Sequence, residues 1–364
     1  MPNKKLHSQI LRRSFLCMSR SSILHKKRSP QYSQVSAALG GNSIMEKWYF
    51  ETSALNHFAK SHDYQDAIAT KAHQLLKGRL WVISPVCIWE ILATQDEFER
   101  ERLIFIAQNL FDENLLPGPG ELILKFIFQG CPLVEKRREL KSESDLAETW
   151  KNLVGCNQKT FVFDKGQLNE ALSNLKDLNR RIFSLARNEP EYFEDSSESD
   201  LLVLLDTTIS AIGDEHKLPA GVDSKIVLRI SLYYLICAVC AGAGLEMPVI
   251  NKLWEQRGIK DPIDRYYYVI KNFPEVLYRG PLALLAMMTY VQTRQKFSRG
   301  VLFDSFHAIY SVYCEKLLTN DKHFVWLRDE ISPSLAALSI YHFDELKITY
   351  TERSNAPDRG IIAT

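Results

Sequence analysis

The first 45 residues contain no aspartate or glutamate, although they carry eight lysines and arginines. Since the formal net charge of the whole chain is +1, the remaining residues are mildly acidic, with a net charge of −7. Overall charge therefore does not favour nucleic-acid binding by the folded part, and such a partner would need a local basic patch.

Residues 1–44 also lack a sustained apolar period, which predicts a basic, unstructured extension. The composition, rich in arginine and serine and free of acids, is typical of an organelle transit peptide. A flexible basic arm, or a true start at Met45, is the preferred interpretation, because the ordered pattern begins immediately after Met45.

The seven cysteines have no repeated spacing, which favours reduced thiols and a cytoplasmic location. Cys237 and Cys240 form a C-x-x-C pair that no second pair accompanies, inside the apolar run Leu232–Leu245. The pattern predicts two core cysteines rather than a metal or redox pair.

No apolar run is long enough for a membrane span. The strongest run, Ile226–Val249, is interrupted by Arg229 and Glu246, which leave 16 uncharged residues between them. A span needs about 18–20 apolar residues. A buried helix and no membrane association are therefore predicted.

Two parts of the chain alternate between strands and helices. In the first, strands are predicted at Trp48–Phe50 and Arg79–Ile83, with a helix starting at Ser84 and Pro85 and a third, short strand at Leu115–Pro117. In the second, a helix over Val301–Tyr310 precedes a strand at Leu317–Thr319, and a last strand is predicted at Leu338–Tyr341.

The interval between these parts shows helical periodicity. Helices are predicted over Glu121–Gln129, Leu140–Leu153, Gln167–Arg187, Asp200–Ile212, Ser224–Ala243, Val249–Gln256 and Leu282–Phe297. The sequence therefore predicts a discontinuous α/β domain of residues 46–117 and 298–350. A helical insertion would occupy 118–297, and a loose tail 351–364.

Two acids in the second part lie close together in the sequence. Asp304 projects from the predicted helix together with His307, and Asp321 follows the predicted strand in an Asn-Asp turn. Sites in open α/β sheets form at the carboxyl ends of strands. We therefore expect Asp304 and Asp321 to belong to a functional site.

Four stretches of the chain resemble the four acidic motifs of PIN-domain proteins, in the same order: Tyr49–Leu55, Ile83–Leu92, Phe303–Ala308 and Leu318–Phe324. The resemblance covers about 46–117 and 298–350. It implies a PIN-like parallel sheet flanked by helices, with the helical segment as an inserted all-α subdomain. That family consists largely of metal-dependent ribonucleases, many of them toxins of bacterial toxin–antitoxin systems.

Carried over position by position, the resemblance implies an acidic metal site made of Glu51, Glu90, Asp304 and Asp321. It also implies an RNA substrate, and a protein inhibitor or a second copy of the chain as further partners. The family usually has aspartate where this chain has Glu51. Because Mg²⁺ demands near-ideal octahedral geometry, the extra methylene implies Mn²⁺, an intervening water or weak activity.

The chemistry of four converging carboxylates agrees with this interpretation. They repel one another unless a cation lies among them, and oxygen ligands select Mg²⁺ or Mn²⁺. Hydrogen bonds to the carboxylates or to metal-bound waters are expected from Thr52, Ser53, Thr319 and Asn320.

Several of these residues have other interpretations. Thr52 or Ser53 would serve as a helix cap, and Asp321 alone would form a turn. His307 would either contact the metal or pack in the core. Lys322 and His323 would either contact phosphate or remain simply exposed charges.

We expect metal-dependent cleavage of RNA phosphodiester bonds. The alternative is a non-catalytic PIN-like module that binds nucleic acid or protein, with Glu51 marking a decayed site. A membrane-associated factor that uses Ile226–Val249 is a third, weaker hypothesis. The sequence contains no separate RNA-binding module, and it does not identify the RNA target.

Overall fold

The structure is a computed structural model. It describes residues 46–60, 79–111, 115–130, 150, 173, 177–178, 180–187, 196–212, 218, 222–241, 247–294, 301–331 and 340–342. The extension predicted for 1–44 and the tail predicted for 351–364 lie outside the described residues, as does most of the helix predicted over Leu140–Leu153.

Four parallel strands form the sheet, in the order β2-β1-β3-β4. They are β1 Glu46–Phe50, β2 Arg79–Val82, β3 Lys316–Thr319 and β4 Ile340–His342. Tyr49 is in register with Val82 on one side and with Leu317 on the other. The predicted α/β class with a parallel sheet is therefore confirmed, and β1 pairs directly with a strand that lies far away in the sequence.

The third strand predicted at Leu115–Pro117 is reduced to a single parallel bridge between Ile83 and Leu115. The N–H of Leu116 donates to the Ile83 carbonyl oxygen at 3.0 Å. Pairing ends there because both segments turn into helices, one beginning at Pro85 and the other at Pro119.

Along the chain, the described helices lie between the strands. In chain order they are α1 Thr52–Lys60, α2 Pro85–Ala93, α3 Glu97–Leu110, α4 Pro119–Gln129, α5 Ser196–Ile212, α6 Ser224–Tyr234, α7 Met247–Glu255, α8 Pro262–Asn272, α9 Gly280–Thr293, α10 Val301–Ala308 and α11 Lys322–Trp326. Residues 180–187 are also helical. Short 3₁₀ helices cover Pro274–Leu277 and Ile309–Val312.

Most helix predictions are confirmed with shifts of a few residues at their ends. The predicted start of α2 is confirmed, since the Ser84 hydroxyl accepts a hydrogen bond from the Cys87 N–H. The helix predicted over Ser224–Ala243 instead changes to π-helical geometry at Leu235–Cys240. Helix α8 was not predicted, although Asp261 before Pro262 is a typical helix start.

One buried core extends from the sheet into the helical region. It includes Trp48 and Trp81 on the strands, and Leu228 and Met287 on helices α6 and α9. Helix α9 packs against both α6 and α10, so it joins the helical region to the second α/β part of the chain.

Cys237 and Cys240 are both buried, which agrees with the prediction of core cysteines. Burial raises the pKa of the Cys237 thiol to about 12, so the group stays protonated at neutral pH. Such a thiol is a poor nucleophile and a poor metal ligand.

Within the described ranges, no helix combines the length and the apolar character needed to cross a membrane.

Candidate metal centre

The carboxyl edge of the sheet brings the predicted acids together. Glu51 directly follows β1, and its N–H donates to the Leu318 carbonyl oxygen of β3 at 3.0 Å. Asp321 comes two residues after β3, while Glu90 lies on α2 and Asp304 on α10. Because β1 and β3 are parallel neighbours, they end at the same edge, and the acids that follow them are neighbours too.

Six side chains at this edge form two groups of candidate metal ligands. In one group, donor atoms of Glu51, Glu90 and His307 all lie within 4.8 Å of one another. In the other, donor atoms of Asp304, Asp321 and His323 meet the same limit. All four predicted acids therefore occur in these groups, and each group also contains one histidine.

The electrostatics of Asp304 connect the two groups. Asp304 is buried, and burial raises the pKa of its carboxyl well above the usual value. The negative charges of Glu51, Asp321 and Glu90 raise this pKa further. The four acids are therefore close enough to repel one another, as expected for carboxylates gathered without a cation.

Glu51 is 2 % exposed and accepts several hydrogen bonds. Its Oε1 accepts from the Ser53 N–H at 2.8 Å, and its Oε2 accepts from the hydroxyl of Ser53 and, at 3.0 Å, from that of Thr319. These contacts agree with the predicted supporting role of Ser53 and Thr319. Burial raises the pKa of Glu51, while His307 lowers it and Glu90 raises it.

The proposal that Thr52 or Ser53 caps a helix is wrong. Both residues lie inside the first turn of α1, and it is the Glu51 carboxylate that accepts the N–H of Ser53. A carboxylate at a helix N-terminus also interacts favourably with the helix dipole. The longer side chain of glutamate is therefore accommodated by the start of α1, while the Thr52 hydroxyl lies 3.5 Å from His307 Nε2.

Asp321 is both the cap of α11 and a member of the site. Its Oδ1 accepts the His323 N–H at 2.7 Å, and its own N–H donates to the Thr319 hydroxyl at 2.9 Å. Burial by itself would raise the pKa of Asp321, but the hydrogen bonds with His323 outweigh burial and lower it. Asn320 joins the network through its backbone N–H, which donates to Ser53 Oγ at 2.9 Å.

His307 is fully buried and faces the acids. Its Nε2 lies 2.7 Å from Glu90 Oε2, and its Nδ1 is hydrogen-bonded to the Tyr49 hydroxyl, which lies 2.7 Å from Ser84 Oγ. Burial would lower the pKa of His307, but Cys87 and the Glu90 carboxylate raise it well above its usual value. Metal-binding histidines also have one nitrogen fixed by a hydrogen bond and the other directed at the ligand site.

Two members of the site were not found from the sequence. The sequence predicts Tyr49 only as a residue of a strand. Gln292 lies in the helical region, which none of the four acidic motifs covers. Gln292 Nε2 donates to Asp304 Oδ2 at 2.9 Å. One signal was present, because Thr289, Gln292 and Thr293 place polar side chains three and four residues apart in an otherwise apolar helix.

The predicted phosphate contacts are placed at the rim of the site. Lys322 is exposed, and His323 is half-buried with its Nδ1 2.7 Å from Asp321 Oδ1. The hydrogen bond with Asp321 raises the pKa of His323. Contact of either residue with phosphate stays a prediction.

Comparison of the chain with protein-family models, with curated proteins and with solved structures finds no match. The PIN-like character of the sheet therefore stays a resemblance of motifs.

Proposed function

We propose that this protein is a metal-dependent ribonuclease with a PIN-like fold, which hydrolyses RNA phosphodiester bonds at Glu51, Glu90, Asp304 and Asp321. The observation that carries the proposal is the meeting of these four carboxylates at the carboxyl edge of one parallel sheet. Repulsion among them costs stability, and a divalent cation removes that cost. A cluster of this kind is typical of a functional site rather than of packing.

The donor atoms fit a divalent metal ion. Carboxylate oxygens suit Mg²⁺ and Mn²⁺, and the imidazole nitrogen of His307 shifts the preference towards Mn²⁺. Such an ion, when bound, makes a water molecule more acidic and stabilises the negative charge that develops on a phosphate during hydrolysis.

Hydrogen bonds from neighbouring side chains orient the proposed metal ligands. Ser53 and Thr319 orient the Glu51 carboxylate, and Tyr49 orients the imidazole of His307. Lys322, at the rim beside Asp321, supplies positive charge where the phosphate of a substrate would enter, and the neighbouring His323 adds to it when protonated. The preference for RNA over DNA is taken from the resemblance of the motifs, as is the hypothesis of a protein inhibitor.

The test is a cleavage assay on RNA and DNA substrates with Mn²⁺ or Mg²⁺, and with a chelator in place of the metal. Asp304→Asn and Asp321→Asn should each reduce the rate at least about 100-fold, since each removes a charged ligand. Asp264→Asn, at an exposed acid on α8, is the matched control and should leave the rate unchanged.

One outcome of this assay would contradict the proposal. If no RNA or DNA is cleaved in the presence of either metal, the enzyme proposal is wrong. The non-catalytic binding module is then the better account of the chain.

A further inference from the structure

Gln292 connects the helical region to the candidate metal centre. It lies on α9, its side chain is 1 % exposed, and its Nε2 donates to Asp304 Oδ2 at 2.9 Å. On the other side of the amide, the Ser305 hydroxyl donates to Gln292 Oε1 at 2.8 Å. Both ends of the amide are therefore satisfied, and one end touches a proposed metal ligand.

The orientation of this amide follows from its neighbours. A hydroxyl has one hydrogen to donate, and Ser305 gives it to Gln292 Oε1 while its oxygen lies 3.0 Å from the Thr289 hydroxyl. Thr289 is in turn 3.0 Å from the Tyr234 hydroxyl. Because an ionised carboxylate can only accept hydrogen bonds, the amide presents its NH₂ group to Asp304 and its oxygen to Ser305.

An amide supplies what a metal-binding carboxylate needs from a neighbour. It stabilises the ionised form of Asp304 by donating a hydrogen bond, but it adds no positive charge that would compete with a cation. A lysine or arginine at position 292 would neutralise the site instead. The bond to Oδ2 also fixes the rotation of the Asp304 carboxylate, so that Oδ1 points in a defined direction.

We propose that Gln292 is a positioning residue, which holds the Asp304 carboxylate in the orientation that binds the metal. This inference rests on the proposed function. It makes the helical region a component of the site, because α9 supplies the hydrogen bond and packs against α10, which carries Asp304.

The experiment measures the dissociation constant of Mn²⁺ by titration calorimetry at 25 °C on the full chain. Gln292→Met keeps the volume and the helical propensity of the side chain but removes the donor. We expect Mn²⁺ to bind it about 10- to 100-fold more weakly than the wild type, the usual effect of losing a partner that orients a metal ligand. Gln292→Asn keeps an amide one methylene short of Asp304, and it should lose affinity as well.

Thr293→Val is the matched control. Thr293 is the next residue of α9 and is also buried, but its hydroxyl donates to the Tyr290 carbonyl oxygen. This variant should bind Mn²⁺ as the wild type does. Thermal unfolding of each metal-free variant confirms that the folded fraction is the same at the temperature of the titration.

The outcomes separate the inference from the function. Wild-type affinity in both Gln292 variants would overturn the inference and leave the proposed function standing. Equal losses in Thr293→Val and Gln292→Met would also overturn it, since they would show a general effect of packing. If the wild type binds neither Mn²⁺ nor Mg²⁺ in the same titration, both the proposed function and the inference are wrong.

Discussion

One aspartate in the helical region and one at the sheet edge have opposite electrostatic environments. Asp206, in the helical region, accepts hydrogen bonds from Arg229 at 2.6 and 2.7 Å and lies 3.3 Å from Lys225 Nζ. Its hydrogen bonds from Arg229 hold the pKa of Asp206 below the usual value, against the effect of burial. Asp304, at the sheet edge, has a pKa raised by burial and by three other acids.

Hydrogen bonds to neutral acceptors hold a second buried charge of the helical region. Arg265 donates to the Cys240 carbonyl oxygen at 2.9 Å and to Asn251 Oδ1 at 2.7 Å, although burial lowers its pKa. At the sheet edge, four carboxylates are collected with two histidines, so the carboxylates outnumber the histidines and repel one another. Because folding alone gains nothing from such repulsion, the comparison indicates that the sheet edge is built for a ligand.

The largest effect on the cleavage rate should come from changing the charge or the side-chain length of Glu51. Glu51→Gln removes a charged ligand and should reduce cleavage at least about 100-fold. Glu51→Asp keeps the charge and shortens the side chain by one methylene, and aspartate also caps helices well. We expect it to keep or increase the cleavage rate with Mg²⁺.

Initial rates with Mg²⁺ and with Mn²⁺ make this comparison. If Glu51→Gln is as active as the wild type, Glu51 serves only to cap α1, and the sheet edge loses one of its four proposed ligands.

A smaller effect is expected at His307, where the sequence left a metal ligand and a core histidine as alternatives. His307→Gln should weaken Mn²⁺ binding about tenfold if the imidazole is a ligand. His323→Gln is the comparison, and its loss should be smaller because His323 is more exposed and paired with Asp321. Calorimetric titration measures the Mn²⁺ affinity of both variants. Unchanged Mn²⁺ affinity in His307→Gln, with a lower melting temperature, would assign His307 to packing.

The smallest effects concern stability without metal, and they should have opposite signs in the two regions. At neutral pH a raised pKa means that ionised Asp304 destabilises the folded state, so Asp304→Asn should leave the free energy of unfolding unchanged or raise it by about 1 kcal/mol. A lowered pKa means that ionised Asp206 stabilises the fold. Asp206→Asn should therefore lower that free energy, by no more than about 1 kcal/mol because Asp206 is partly exposed.

Denaturant unfolding at pH 7 in the presence of a chelator checks both signs. Destabilisation of the metal-free protein by Asp304→Asn, to the same extent as by Asp206→Asn, would remove the contrast between the regions.

Local patterns were enough to predict much of the fold. The apolar runs at Trp48–Phe50 and Leu317–Thr319 predicted β1 and β3 to within two residues at each end, because short buried strands read directly as apolar runs. The resemblance of the motifs, rather than a local pattern, then predicted that Glu51 and Asp321 belong to one site. The order of the strands could not be predicted from local patterns, because the pairing between β1 and β3 depends on the packing of the whole chain.

The missing parts of the site have the same explanation. Tyr49 meets His307 across 258 positions, and Gln292 meets Asp304 between two helices, 12 positions apart in the sequence. The local periodicity of apolar residues does not predict such contacts. The cap formed by Glu51 was also missed, since a glutamate before a helix is a less usual cap than the Thr52 and Ser53 that follow it.

The most direct measurement of the central claim is the melting temperature of the wild type and of Asp304→Asn, with and without Mn²⁺. A cation that binds only the folded state adds about 2.7 kcal/mol at 100 times its dissociation constant, enough to raise the melting temperature by several degrees. We predict this rise in the wild type and its loss in Asp304→Asn. An unchanged wild-type melting temperature at saturating Mn²⁺ and Mg²⁺, or an equal rise in Asp304→Asn, would contradict a metal centre at this sheet edge.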